Sequence, residues 1–387
     1  MIETVRRWYP TQVQWRRHLH QHPETALEEL KTTAFLKTEL RKIGLTLKPL
    51  KLRTGVVAEL KGALPGPTVA IRSDIDALPI LEQTGLPFAS RTAGKMHACG
   101  HDMHMAIVLG TAAVLSEHRK ELRGTVRFIF QPAEEVAPGG AVLMIKEGAL
   151  RGVDAIFGLH VDPAIPVGKI GLRDGAMMAA VCDFDVAIAG IGSHAARPHL
   201  GADAIVAATD VVQALQTLVS RRTDQLSTLV LTVGQITGGT ARNVIASSSH
   251  LTCTARTLDP VLAKRLPSLI SKTVASACKV HGAVGKTTIV ASYPPVVNEP
   301  AVNRMYADIF AGLFGRSRVI EADRSLGGED FAYYLQRVPG AMLRLGIKNR
   351  AIGADQPWHS SRFIADENAL WYGSALLAVA ALEYSAK

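Results

Sequence analysis

Residues 68–79 read TVAIRSDIDALP, a short apolar run followed at once by two aspartates and a proline. The run at 68–71 is strand-length and lacks polar alternation, as do those at 55–60, 125–130 and 155–159. Continuous apolar strands are buried on both faces, which is the signature of a sheet covered by helices. Helix-like apolar spacing lies around them: residues 11–43 in two pieces, broken where His22-Pro23 disfavours continuation, and residues 103–117, for which Asp102 is the expected N-cap. Strands alternating with helices in this way predict an α/β layer.

The texture changes between residues 179 and 291, a stretch that contains no Glu. Strands are expected at 182–189, 227–236, 250–258 and 286–290, with helices at 202–219 and 260–280. The resulting order, βαββαβ, is that of a ferredoxin-like α+β unit. The expected architecture is an α/β domain in two segments, 1–178 and 292–387, with the smaller domain of 179–291 inserted between them.

The chain has 387 residues, 48% hydrophobic and 20% charged, a folded mixture long enough for two or three domains and too poor in charge for disorder. Its net charge of +9 invites a nucleic-acid reading, but no run of five to eight Lys or Arg occurs and no recognition motif supports one. Four scattered cysteines, Cys99, Cys182, Cys253 and Cys278, form no disulfide framework and suggest a reducing compartment. The first 22 residues are peppered with charge, and no run approaches the roughly 18 apolar residues of a membrane span. The expectation is a cytoplasmic protein with no nucleic-acid or membrane partner.

Ligands of an open α/β sheet gather beyond the carboxyl ends of its strands. The residues directly after each expected strand are of metal-binding type: Asp74 and Asp76 after the first, Glu134 and Glu135 in QPAEE after the next, and His160 after the last. Between them lies HACGHDMH, residues 97–104, and late in the chain Pro357-Trp358-His359 offers one more imidazole. Thiolate, imidazole and carboxylate together suit zinc, with manganese, cobalt or nickel as further candidates. More than four candidate ligands suggest two ions. Adjacent side chains in extended backbone point to opposite sides, so Glu134 and Glu135 are expected to divide their labour, one binding metal while the other takes a proton. His18, His20 and His22 sit away from any strand end and read as structural. In the inserted region His194 comes after a strand in a Gly-flanked loop, while Asn243 and Arg256 are candidates to hold a substrate carboxylate. The runs GGTAR and LGGED fit no phosphate-loop pattern, and HExxH is absent.

In HACGHDMH, QPAEE, GLH, SHAARPH and PWHS, in this order, and in the opening RRHLHQHPE, the chain resembles the M20 metallopeptidase family, most of all its amidohydrolase branch of hippurate hydrolases, N-acyl-amino-acid deacylases and auxin-conjugate hydrolases. The resemblance implies a dinuclear catalytic domain with an inserted lid that doubles as a dimerisation domain, in a homodimer or dimer of dimers. It implies Cys99, His101, Glu135, His160 and His359 as metal ligands, Glu134 as general base and Asp76 as an orienting carboxylate. His194, from the lid and that of the partner subunit, would stabilise the oxyanion, and Asn243 would bind substrate. The wider family carries HxD and a bridging Asp where this chain has Asp74-Ile75-Asp76 and Cys-Gly-His, a departure shared with the amidohydrolase branch. The implied reaction is hydrolysis of an N-acyl amino acid bearing a free carboxylate, to which a net positive charge is electrostatically suited. A dipeptidase or an N-acetyldiaminopimelate deacetylase is the alternative within this chemistry. A thiol hydrolase built on Cys99 and a silent binding protein are the alternatives outside it.

Overall fold

The computed structural model describes residues 1–386 and divides the chain into two compact units. Of the described residues, the first comprises 1–175, 297–323 and 330–386, and the second 176–296 and 324–329.

The first unit is built on an eight-stranded mixed sheet in the order Thr46–Lys48, Val56–Lys61, Arg123–Gln131, Leu64–Asp74, Ala155–Pro166, Gly340–Lys348, Ile170–Leu172, Val319–Glu321. Its four inner strands run parallel: Leu64–Asp74 pairs on either side with Arg123–Gln131 and Ala155–Pro166, and Ala155–Pro166 with Gly340–Lys348. Their carboxyl ends therefore share one rim. The apolar runs are buried on both sides, as in Gly340–Lys348, where only the last residue is not fully buried. Helices His101–Glu117 and Ala369–Ser385 are apolar around most of their circumference and lie inside the core rather than on its surface.

Two local expectations change. The first helix is Ile2–Gln21, longer than the apolar spacing alone indicates, with Pro10 in its interior, and the second is Leu30–Ile43. Asp102 is not the N-cap of the next helix, which starts at His101 after Gly100. Gly100 sits at φ 89°, and a Cβ there would lie 2.4 Å from Val161 Cγ2, so both backbone and space require glycine. Asp102 instead faces inward in the first turn. One of its oxygens accepts from Arg16 Nε and His20 Nδ1, both at 2.8 Å, and His20 Nε2 lies 3.2 Å from Glu82. His20 thus has the structural place its position in the sequence suggests. Burial by itself would raise the Asp102 carboxyl, but Arg16 and His20 hold it well below the usual carboxylate range.

The second unit carries a four-stranded antiparallel sheet in the order Val284–Tyr293, Ala180–Ala189, Ser248–Thr257, Leu229–Gly238. Helices Ala204–Arg221 and Pro260–Val280 lie in the two crossover connections, and their apolar stripes pack on one face of that sheet. Each begins at an aspartate, Asp203 and Asp259, whose side chain accepts from the first free amides, and Pro260 comes directly after the second. Residues 324–329 join this unit through the Met178–Ser325 bridge and a hydrogen bond from Arg256 to the Leu326 carbonyl. No helix among the described residues is long and apolar enough to cross a membrane.

Removing one partner of a buried ion pair leaves the other charge uncompensated. Arg16→Met is expected to destabilise the protein by about 3 kcal/mol in chemical denaturation, whereas Arg7→Met, at the exposed pair with Glu117, should cost under about 1 kcal/mol.

Candidate active site

The rim formed by the parallel strand ends gathers the side chains that the sequence singles out. Strand Leu64–Asp74 ends at Asp74 and runs on to Asp76. Strand Arg123–Gln131 leads into Glu134 and Glu135, and Ala155–Pro166 carries His160. Cys99 and His101 enter at the start of helix His101–Glu117, and His359 on a late turn whose amide is tied to the Ala98 carbonyl at 2.9 Å.

Within this cluster one donor atom from each of Cys99, His101 and His160 lies within 4.8 Å of the others, and the same holds for Cys99, Glu135 and His359 and for His101, Glu134 and Glu135. Cys99 Sγ is 3.5 Å from His160 Nε2, and His359 Nε2 is 3.4 Å from Glu135 Oε1. Hydrogen bonds elsewhere on the rings decide which nitrogens are free. His101 Nδ1 donates to the Asp76 carbonyl and His160 Nδ1 to the Val161 carbonyl, both at 2.8 Å, so each turns an Nε2 lone pair toward the cluster. His101 Nε2 and Glu135 Oε1 are buried with no hydrogen-bond partner in the protein. Orphaned buried acceptors beside a thiol are what a divalent-cation site requires, and sulfur with nitrogen and oxygen donors fits a borderline ion.

His104, in the same motif, is excluded as a ligand because both ring nitrogens are occupied: Nε2 accepts from the Val161 amide at 2.9 Å, and Nδ1–H donates to Asp74 Oδ1 at 2.6 Å. The other Asp74 oxygen accepts from Arg72 Nη1 at 2.7 Å. Arg72 also donates to Asp330 at 2.7 Å and to Gln131 at 3.0 Å. Asp330 accepts in addition from Gln131 and from the Ala141 amide. Burial alone would raise the Asp74 carboxyl, but His101, His104 and Arg72 hold it well below its usual value. Asp76 orients two neighbours: its carbonyl receives His101, and its Oδ2 accepts the Glu135 amide at 3.0 Å. Burial, reinforced by Glu135, pushes the Cys99 thiol well above its usual range, so a thiolate here calls for a cation beside it.

The geometric ground for dividing roles between Glu134 and Glu135 does not survive. Their segment is bent, not extended, with Ala133 at φ 54°, and both carboxylates reach the neighbourhood of His101. Arg72 and Asp330 escape sequence reading, as does the part played by Gln131 at the head of QPAEE: a strand arginine and the GED of LGGED carry no motif, and the contacts that join these three residues span 59 to 258 positions. In the second unit His194 and Asn243 come together on two exposed loops, where Val244 bridges His194 and the Ala195 amide donates to the Asn243 carbonyl at 3.0 Å. Arg256 is engaged with Leu326 at 2.8 Å.

Residues 70–383 match the profile of peptidase family M20/M25/M40. The chain belongs to this family. It is 42% identical over 362 residues to N-acetyl-L-cysteine deacetylase of Bacillus subtilis, covering 94% of this chain and 85% of the relative. It is 39% identical to IAA-amino acid hydrolase ILR1-like 2 of Arabidopsis thaliana, covering 96% and 84%. Among solved structures, the Bacillus subtilis YxeP protein, described as a dinuclear metal binding peptidase of the M20 family, superimposes with a TM-score of 0.87 at 36% identity over 99% of both chains. The protein is accordingly a metal-dependent amidohydrolase of the M20 family.

A ligand that binds only the folded state stabilises it by mass action. Adding Zn²⁺ or Mn²⁺ to metal-stripped protein at a hundredfold excess over Kd is expected to contribute about 2.7 kcal/mol and raise Tm. His160→Ala should shrink the gain, whereas Asn243→Ala should leave it unchanged.

Proposed function

We propose that this M20 amidohydrolase hydrolyses the amide bond of N-acyl amino acids, releasing a carboxylic acid and a free amino acid. The observation that carries the reading is the convergence of five donor side chains with a sixth group, the Glu134 carboxylate, beside them. In this reading Cys99, His101, Glu135, His160 and His359 hold two divalent ions, zinc or manganese, and Asp76 orients His101 and Glu135. When bound, the ions polarise the acyl carbonyl and increase the acidity of water. Glu134 accepts the proton of the attacking water, and the same carboxyl then donates it to the departing amine, so that the acid–base cycle closes on one residue. The names of the relatives support an acyl amino acid as substrate: one is a deacetylase of N-acetyl-L-cysteine and another a hydrolase of IAA-amino acids.

For His194 the proposed role is donation to the oxyanion that develops on the acyl carbonyl. Its Nδ1 accepts from the Ala196 amide at 3.0 Å, which leaves the proton on an exposed Nε2. Asn243 is assigned to the substrate carboxylate. Arg256, engaged with a main-chain carbonyl, has a weaker claim to that task. A cytoplasmic homodimer remains part of the proposal, with the second unit serving as lid and dimerisation surface.

Glu134→Gln keeps the size of the side chain and removes the base. It should lower kcat by about 10²–10⁴-fold with metal content unchanged by elemental analysis. Turnover close to wild type would remove Glu134 from the proton path. A wild-type protein that cleaves dipeptides or N-acetyldiaminopimelate in preference to acetyl, benzoyl and indoleacetyl amino acids would replace the substrate class while keeping the chemistry.

A further inference from the structure

We infer that Glu29 is a positioning residue for the catalytic turn: through a buried hydrogen bond to the Ala133 amide it holds the backbone conformation that presents Glu134 and Glu135 together. The inference rests on the roles proposed above for that pair.

Ala133 is one of only three non-glycine residues with positive φ among those described, and it is buried. A left-handed alanine costs about 1–2 kcal/mol and persists only where its surroundings hold it. Both of its backbone polar groups are held. Its N–H donates to Glu29 Oε1 at 2.9 Å, and its carbonyl accepts from the Gly140 amide, also at 2.9 Å. Gly140 can make that approach because it has no side chain; a Cβ there would lie 1.7 Å from the Pro132 carbonyl. Two residues on, the Glu135 amide is taken by Asp76. The turn therefore hangs from Glu29 and Gly140 on one side and Asp76 on the other, and Glu134 lies between these anchors. Relaxation of Ala133 to negative φ would redirect the chain at the residue before Glu134 and draw its carboxylate away from His101.

Glu29 is itself anchored. Its carbonyl accepts from the Thr33 amide at the start of helix Leu30–Ile43, and Thr33 Oγ1 accepts from the Gly55 amide, both at 2.9 Å. The loop before it is tied to the segment that carries Asp76, by the Thr25–Ala77 bridge and by the Ala77 amide donating to the Glu24 carbonyl at 2.8 Å.

The simpler reading is a carboxyl that only fills core space. The chemistry of the position argues against it. Glu29 has no exposed surface, and besides the Ala133 amide its carboxyl faces the amides of Leu27 and of Glu29 itself. Burial pushes its carboxyl up to about 7, and the nearby Asp76 carboxylate adds to the effect. An apolar side chain would fill the space at lower cost. What distinguishes the acid from such a filler is the acceptor it offers to backbone amides, of which Ala133 is the one on the turn that carries Glu134 and Glu135. A glutamine offers an acceptor of the same reach without the charge, and this makes the inference testable.

The experiment compares cobalt-loaded wild type, Glu29→Gln and Glu29→Ala, with rates expressed per folded, metal-loaded site. Glu29→Ala should lower kcat by about 10²-fold with little change in KM, and should alter the visible Co²⁺ absorption that reports on Glu135 and its neighbours. Glu29→Gln should restore kcat to within about threefold of wild type and reproduce its spectrum, as one amide–acceptor bond replaces another. If Glu29→Ala does not fold, Glu29→Asp, which withdraws the acceptor by one methylene, should show the same losses at a Tm near wild type. Wild-type rates and spectrum in the alanine or aspartate variant, with only a lower Tm, would overturn the inference, and so would a glutamine variant as impaired as alanine. Failure of the proposed function would appear differently, as a wild type inactive on N-acyl amino acids, and the cobalt spectra would then decide the role of Glu29 on their own.

Discussion

Asp74 has no exposed surface, and its two oxygens are divided between a guanidinium and an imidazole: Arg72 at 2.7 Å and His104 at 2.6 Å. An unpaired carboxylate at that depth would cost several kcal/mol. The way its charge is met determines much of what lies around it. Because His104 donates to Asp74 through Nδ1, its Nε2 must accept, and it accepts from the amide of Val161. The Val161 carbonyl in turn receives His160 Nδ1 and Trp358 Nε1, which fixes the His160 ring with its other nitrogen toward Cys99. On the far side Arg72 reaches Asp330 and Gln131, and so joins two neighbouring strand ends to a segment more than 250 positions away. The candidate ligands are placed by this polar layer beneath them, and the layer depends on the Arg72–Asp74–His104 contact.

Much of this was legible in the sequence, for physical reasons. A parallel sheet under helices needs continuous apolar strands, and those at 125–130 and 155–159 lie within strands Arg123–Gln131 and Ala155–Pro166. Chemistry at the carboxyl ends is a consequence of that topology, so the residues directly after each run carry it. The polar layer was less legible because it is made of long-range pairs. Nothing near Arg72 in sequence marks Asp330 as its partner. Asp102 illustrates the same limit: an acidic residue at a helix start is read as a cap, yet here it faces Arg16 and His20 on another helix, while a left-handed glycine opens the helix. Glu134 and Glu135 show that alternation applies only where backbone is extended: in a bent segment that follows a left-handed alanine, both carboxylates come within reach of His101.

Buried acceptors without partners mark the boundary between structure and function in this protein. His101 Nε2, Glu135 Oε1 and Asp76 Oδ1 all lie at the rim, where ligation by a cation would satisfy those that face it. A chain that retains such groups gives up stability to keep a site in readiness. In an M20 amidohydrolase that readiness serves hydrolysis; in the mechanism proposed above Glu134 moves the proton, and the surrounding hydrogen bonds keep its neighbours in place.

Amine release from an N-acyl amino acid, monitored on one preparation before metal removal, after it, and after adding back Zn²⁺ or Mn²⁺, tests the central claim most directly. The account predicts turnover that disappears with the metal and returns with it. Turnover that survives complete metal removal would contradict it and would move the chemistry to the thiol of Cys99.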